Sequence, residues 1–326
     1  MLFLIYTIIA ILVIFFSIKC AYYMDLIEEK TNLSGLFLSS IILASITSLP
    51  ELVTSVSAIS FLDNPGLVLG NVLGSNIFNL MILGSLIIFF FNKFLNSNID
   101  PKHDKSLYFL IIIYCLVFAK MQFNFDVSIM NIDIISILIA FLYFLSLKFM
   151  TVSDSDIGEN QSNDNNLNKD EDVKNIVIKF IFSSMGLVIS SVAITIVTDK
   201  IVTATNISST MAGALLLGIA TSIPELATSI TLCKLGNFNA VFGNMIGSDI
   251  FNYIIISIGD VLYNKGSIFI IDNQSYKLTI FGLVSIILTL IILKTKTEND
   301  KSNISKITYI LSSLFIIVSY GLFLFL

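Results

Sequence analysis

Thr47-Ser48-Leu49-Pro50-Glu51-Leu52 and Thr221-Ser222-Ile223-Pro224-Glu225-Leu226 are nearly the same six residues written twice in one chain of 326. Each copy sets a carboxylate beside a proline inside a long apolar segment. The likeness continues downstream. Gly70-Asn71-Val72-Leu73-Gly74-Ser75-Asn76-Ile77-Phe78-Asn79 follows the first copy, and Gly243-Asn244-Met245-Ile246-Gly247-Ser248-Asp249-Ile250-Phe251-Asn252 follows the second. The offset is 174 in the first block and 173 in the second, so one residue has been gained or lost in the connecting turn. Chance similarity between apolar segments does not keep such register, and the chain reads as an internal duplication.

Composition sets the medium in which this duplication works. Hydrophobic residues make up 56% of the chain, charged residues only 13%, and the mean hydropathy is +0.91. Soluble domains carry roughly a quarter charged residues, so this is an integral membrane protein. Ten apolar runs are long enough to cross a hydrocarbon core, among them residues 2–16, 33–62, 129–149 and 208–235. The runs are continuous rather than alternating, which leaves helices as the way to satisfy the backbone in lipid. The first run has no basic leader and no small-residue cleavage site, so it is kept as a span and not read as a signal peptide. The expected fold is an all-α membrane protein of ten transmembrane helices. Residues 1–150 form one five-helix repeat, 151–173 a polar linker and 174–326 the second repeat. Five is odd, so the second repeat starts on the opposite side of the membrane and is inverted. Inverted repeats bring broken helices together near the midplane, a common transporter design.

Lysine alone sets the orientation, because the sequence has no arginine. With the N-terminus outside, 14 of the 18 lysines fall on the inner side, and Lys120, at the end of its apolar run, falls on the outer side with Lys200, Lys265 and Lys277. Both termini are therefore expected outside and the 151–173 loop in the cytoplasm. That loop is rich in Asn, Asp and Ser and reads as a solvated linker. Its acids lack the spacing, the glycine and the terminal glutamate of an EF-hand. Cys20, Cys115 and Cys233 have no metal spacing and read as small packing groups. The lone His103 falls between runs and reads as solvated rather than catalytic.

The repeated motif has the makings of an ion site. A proline in a helix has no N–H to donate, so Pro50 frees the carbonyl of Ile46 and Pro224 that of Ala220. Carbonyls nearby, including those of Ala44, Thr47, Gly218 and Thr221, can tilt away at the same break. Thr47, Ser48, Glu51 and Ser55 form one polar stripe, and Thr221, Ser222, Glu225 and Ser229 repeat it. On the following helix Ser75 and Asn79 share a face, as do Ser248 and Asn252. The glycine pairs Gly70/Gly74 and Gly243/Gly247 let helices approach closely. Serine, threonine, proline and small-residue spacing are ordinary in membrane helices, and by themselves they read as packing. Glu51 and Glu225 decide the matter. A charge near mid-span costs roughly 2.5 to 3.5 kcal/mol on insertion scales, and two such costs at equivalent places imply a shared counter-charge. Carboxylate, hydroxyl, amide and carbonyl oxygens without Cys or His suit hard or alkali cations.

These residues resemble the cation/calcium exchanger superfamily, whose two repeats carry T-S-x-P-E followed by G-N-x-x-G-S-N-x-F-N or F-D. The sodium/calcium exchanger branch is the nearest in pattern. The ten-span plan with a central cytoplasmic loop covers the whole chain, while outside the motifs only the topology matches. The resemblance implies a diamond of cation sites among the second, third, seventh and eighth spans. Calcium would be held by Glu51 and Glu225 with the carbonyls of Thr47 and Thr221. Sodium or the shared cavity would use Ala44, Ser48, Ser75, Asn79, Gly218, Ser222, Ser248 and Asn252. The first and sixth spans would slide as a gate. It further implies no cofactor, no enzymatic activity and no nucleic-acid partner. The partners are small inorganic cations and the lipid bilayer, a monomer suffices, and calcium and sodium are cargo.

One departure from the family pattern stands out. Many relatives have an aspartate where this chain has Asn252, and here Asp249 stands at the position equivalent to Asn76. Three residues on a helix are a swing of about 60°, which turns Asp249 toward a neighbouring helix, in a supporting role. A neutral Asn252 leaves two acids in the cavity, enough to balance one calcium, and speaks against potassium coupling. Two glutamates also suit a cation/proton antiporter, and a passive channel or a membrane scaffold are readings of other classes. The hydroxyl-rich stripe favours sodium over protons, duplicated midplane acids favour alternating access over a channel, and a scaffold has no need of them.

The lysine bias makes a direct prediction. Cysteines introduced as Asp164→Cys and Asn303→Cys are expected to be shielded from impermeant thiol reagents in intact cells, relative to the parent chain. Strong labelling of both from outside would invert the topology.

Overall fold

The structure is a computed structural model that describes residues 1–31, 47–123, 126–150, 173–297 and 302–325. The leading half of run 33–62, including Ala44 and the carbonyl of Ile46, lies outside the described residues. So does nearly all of the 151–173 linker. The described chain is helical apart from one two-residue hairpin. Its helices are α1 (Leu2–Thr31), α2 (Leu49–Leu62), α3 (Pro65–Phe89), α4 (Phe91–Asn96), α5 (His103–Phe123), α6 (Ile134–Met150), α7 (Val173–Thr205), α8 (Ser209–Ala212), α9 (Ile219–Thr221), α10 (Ile223–Leu235), α11 (Phe238–Leu262), α12 (Asn273–Thr297) and α13 (Asn303–Phe325). A π-helical turn, Gly213–Gly218, joins α8 to α9.

Seven of these helices are long and apolar enough to cross a membrane, and α8 to α10 form an eighth, bent by 44°. The shorter apolar helices α2 and α6 fall where the ten-span plan has its remaining two segments. At the head of α6 the run 129–149 is interrupted. Ile129 pairs with Ile132 across a two-residue turn in which Met130 and Asn131 take φ of 53° and 66°, so helix begins only at Ile134. Two left-handed residues close a tight hairpin that a helical period cannot contain.

The middle helix of each repeat lies at the centre. α3 is buried along nearly its whole length and packs against α2, α8, the π turn, α11, α12 and α13. α11, its counterpart, packs against α2, α3, α5, α6 and α10. α1 and α7 instead pack mainly on each other and leave large apolar side chains outward, among them Phe3, Leu4, Ile11 and Phe15 on α1 and Phe182 and Ile189 on α7. In a membrane protein such a face is the lipid boundary.

The glycines of the first motif make α3 a close-crossing helix. A Cβ added at Gly74 would fall 2.7 Å from the Ala214 Cβ and 2.9 Å from its carbonyl oxygen, and one at Gly70 would collide with the Thr210 backbone. From the other side, a Cβ at Gly213 would fall 2.6 Å from Leu67 O, and one at Gly218 3.0 Å from Ser75 N. Backbone therefore lies on backbone where α3 crosses the π turn. Gly243 is different: its nearest neighbour is the His103 ring at 3.5 Å.

Two ionisable groups depart from the sequence reading. His103 is the first residue of α5, is buried, and places Nε2 2.9 Å from Asn239 Oδ1. A side-chain partner on the other repeat satisfies the ring, so it need not be solvated. Lys120, counted among the outside lysines, is only 1% exposed and pairs with Asp133 at 2.6 Å and Asp126 at 3.1 Å. Asp260 of α11 accepts from the Asp133 backbone N–H at 2.7 Å, which ties the hairpin to both repeats. The three cysteines are free thiols; Cys20 and Cys233 are buried and Cys115 is exposed.

Gly70→Ala and Gly74→Ala are expected to lower the thermal unfolding midpoint in detergent, because neither side of the crossing has a flexible atom to give way and overpacking costs about 1–3 kcal/mol. Gly321→Ala, which meets nothing within 4 Å, serves as the control and is expected to unfold no earlier than the parent. Equal midpoints for all three would show that the crossing is slack.

Candidate ion-binding site

Both repeats start a helix at the same residue and in the same way. Ser48 has φ −91° and ψ 11°, and Ser222 has φ −90° and ψ 5°, in the sparsely used bridge region. Each serine caps a new helix whose second residue is the proline, where a missing N–H costs nothing. Glu51 and Glu225 are the third residues of these helices. Each acid thus stands in the first turn of its helix, at the positive end of the helix dipole.

The two acids are fully buried and face each other's repeats. Ser48 Oγ donates to Glu225 Oε1 at 3.3 Å, and Ser222 Oγ donates to Glu51 Oε1 at 3.1 Å. Equivalent serines thus hold each other's glutamates, a two-fold swap across the repeat interface. The second oxygens, Glu51 Oε2 and Glu225 Oε2, are buried with no hydrogen-bond partner among the described residues. None of the ion pairs among the described residues reaches either acid. Two buried carboxyl groups from opposite repeats, each with one oxygen unspent, form a locus that a bound cation would complete.

The surrounding polar residues fix this locus in place. Asn71 Nδ2 of α3 lies within hydrogen-bond distance of Glu51 O at 3.2 Å, Thr54 Oγ1 at 3.0 Å and Ser55 Oγ at 2.9 Å. Asn244 repeats the last of these bonds to Ser229 at 3.2 Å. Ser75 Oγ donates to Gly218 O at 3.3 Å, which also accepts from Ser222 N at 3.2 Å. The Thr221 hydroxyl turns back to Leu217 O at 2.9 Å. Thr47 is fully buried just before the first break. Ser248 Oγ is buried with no partner among the described residues.

One turn beyond Ser75 and Ser248, four amide and acid side chains close a second cross-repeat set. Asn79 Nδ2 donates to Asp249 Oδ1 at 3.0 Å, and Asn252 Nδ2 donates to Asn76 Oδ1 at 2.9 Å. Asn76 Nδ2 in turn donates to Asp249 O at 3.3 Å. Asn79 Oδ1, Asn252 Oδ1 and Asp249 Oδ2 remain buried without partners among the described residues.

The structure therefore brings Ser48, Glu51, Ser75, Gly218, Ser222 and Glu225 together in bonded contact across the repeats, and sets Asn79 and Asn252 one turn away. Ala44 lies outside the described residues. The sequence reading missed the π turn and the use of Asn76 as an acceptor. The motif offset held a signal for the second, since it makes Asn76 and Asp249 equivalent and Asn79 and Asn252 equivalent.

Comparison with known proteins gives the family of the chain. Residues 1–152 and 175–326 match the family model described as sodium/calcium exchanger protein. The chain belongs to the sodium/calcium exchanger family. It is accordingly a multi-pass membrane transporter exchanging cations with calcium, and not an enzyme. Among curated relatives, this exchanger is 28% identical over 272 residues to the uncharacterized membrane protein MJ0091 of Methanocaldococcus jannaschii, covering 81% of both chains. It is 26% identical over 286 residues to the inner membrane protein YrbG of Escherichia coli, covering 86% of this chain and 85% of the relative. Among solved structures, the H+/Ca2+ exchanger CAX superposes with a TM-score of 0.72 at 14% identity, over 99% of this chain and 89% of that one. The sodium-calcium exchanger NCX_Mj superposes with a TM-score of 0.59 at 21% identity, over 98% of this chain and 99% of that one. At these identities the two structures speak for the shared fold.

Proposed function

We propose that this exchanger is a sodium/calcium antiporter that works by alternating access, with calcium held between Glu51 and Glu225. The observation that carries this reading is the swapped pair of bonds, Ser48 to Glu225 and Ser222 to Glu51, which leaves one unpartnered carboxylate oxygen on each acid. Two carboxylates balance one divalent ion, and backbone carbonyls at the helix breaks, those of Thr47 and Thr221, complete a hard oxygen shell. Sodium takes oxygens of the same cavity, from Ala44, Ser48, Ser75, Asn79, Gly218, Ser222, Ser248 and Asn252. The acids are shared, so one ion leaves as the other enters. α1 and α7, packed on each other at the periphery, slide as the gate. Both termini lie outside, the 151–173 segment lies in the cytoplasm, and a monomer carries the whole cycle.

Sodium is favoured as counter-ion because Ser75 and Gly218 put a hydroxyl and a carbonyl beside the acids, ligands that complete an alkali-cation shell. The shared fold serves both couplings, as the two solved neighbours are described as a proton/calcium and a sodium/calcium exchanger.

Calcium-45 uptake into proteoliposomes tests the reading. Uptake is expected to follow an imposed sodium gradient at constant pH. Glu51→Gln or Glu225→Gln is expected to reduce it by about 100-fold or more, since leaving a buried charge without its partner costs about 3–5 kcal/mol. Uptake that follows a pH gradient without sodium would replace sodium by protons as the coupled ion. Uptake undiminished in either glutamine variant would remove the acids from the site.

A further inference from the structure

Asp249 is fully buried, and none of the described ion pairs includes it. It occupies the position equivalent to Asn76, 173 residues on, and does the same thing as Asn76. Each accepts, through Oδ1, the side-chain N–H of the asparagine that ends the other repeat's motif: Asn79 gives to Asp249 at 3.0 Å, and Asn252 gives to Asn76 at 2.9 Å. The two bonds exchange under the repeat symmetry.

The acceptor sets the orientation of the donor amide. Asn79 spends Nδ2 on Asp249 Oδ1, which turns its own Oδ1 to the opposite side, and that oxygen is buried without a partner among the described residues. Asn79 stands on the face of α3 that carries Ser75, whose hydroxyl bonds Gly218 O beside Ser222 and Glu51. The main-chain carbonyl of Asp249 adds a second constraint, because it accepts from Asn76 Nδ2 at 3.3 Å and so turns Asn76 Oδ1 toward Asn252.

We infer that Asp249 is a positioning residue that locks the Asn79 amide with its oxygen presented as a cation ligand, without itself touching the ion. The inference rests on the functional reading above. Positioning by a partner behind a ligand is worth about 10- to 100-fold in metal affinity at other sites.

Equilibrium dialysis of calcium-45 on the purified full chain at rising sodium concentrations tests it through a double-mutant cycle, read as the sodium concentration that halves the bound calcium. Asp249→Ala is expected to raise that concentration about tenfold. Asp249→Asn keeps an acceptor for Asn79 and is expected to stay within about threefold of the parent, since an amide oxygen replaces the carboxyl oxygen at the same place. In an Asn79→Ala background, Asp249→Ala is expected to have no further effect, an outcome that a general packing role would not produce. If Asp249→Ala does not purify as a monodisperse protein, Asp249→Asn decides: a sodium response within about threefold of the parent supports positioning, and a shift of about tenfold overturns it. A parent-like sodium response in Asp249→Ala, or an effect that persists without Asn79, also overturns it. A parent chain whose bound calcium does not fall with sodium, or that binds calcium equally in Glu51→Gln, contradicts the functional reading instead.

Discussion

Two hydroxyl-to-carboxylate bonds, each joining one repeat to the other, hold the centre of this exchanger together. Ser48 reaches Glu225 and Ser222 reaches Glu51, and each serine is also the residue at which its helix breaks. The turn at each serine supplies the donor and starts a new helix whose positive end meets the acid. Neither repeat can build this centre alone, because each carboxylate depends on a serine from the other.

The rest of the architecture follows from bringing two broken helices that close. α3 must cross the second repeat at backbone distance, which Gly70 and Gly74 permit on one side and Gly213 and Gly218 on the other. The π turn between the latter two gives the broken span a wider loop of backbone at the crossing. Asn71 and Asn244 brace the polar stripes from behind, and the Asn79–Asp249 and Asn252–Asn76 bonds repeat the cross-repeat swap one turn further along. Every one of these contacts is polar and buried, where unmet groups are expensive, so the arrangement tolerates little slack. The α1 and α7 pair packs chiefly on itself and presents apolar side chains outward, while the inner face of α7 packs on α2.

Much of this was legible in the sequence because duplication removes ambiguity. A lone Thr-Ser-Leu-Pro-Glu is an ordinary kink, whereas two copies at offsets of 174 and 173 name equivalent residues and so a symmetric site. Spans followed from continuous apolar runs, the family from the motifs. What stayed hidden depends on partners that sequence distance does not reveal. The π turn arises where Gly213–Gly218 meets another helix, and nothing in GALLL itself asks for it. Lys120 looked like a loop-end lysine because Asp133, its partner, is carried back to it only by a left-handed turn at Met130 and Asn131. His103 looked solvated because Asn239 belongs to the other repeat. The helical period turns Asp249 toward a neighbouring helix; the structure names that neighbour as α3 and the contact as Asn79.

The central claim is that two buried glutamates from opposite repeats share one divalent ion in competition with sodium. Titration of the purified protein with calcium by isothermal calorimetry, at rising sodium concentrations, tests it most directly. The account predicts one calcium per chain, an apparent affinity that falls as sodium rises, and loss of the binding heat in both Glu51→Gln and Glu225→Gln. Calcium bound equally well at all sodium concentrations, or bound by the double glutamine variant, would contradict it.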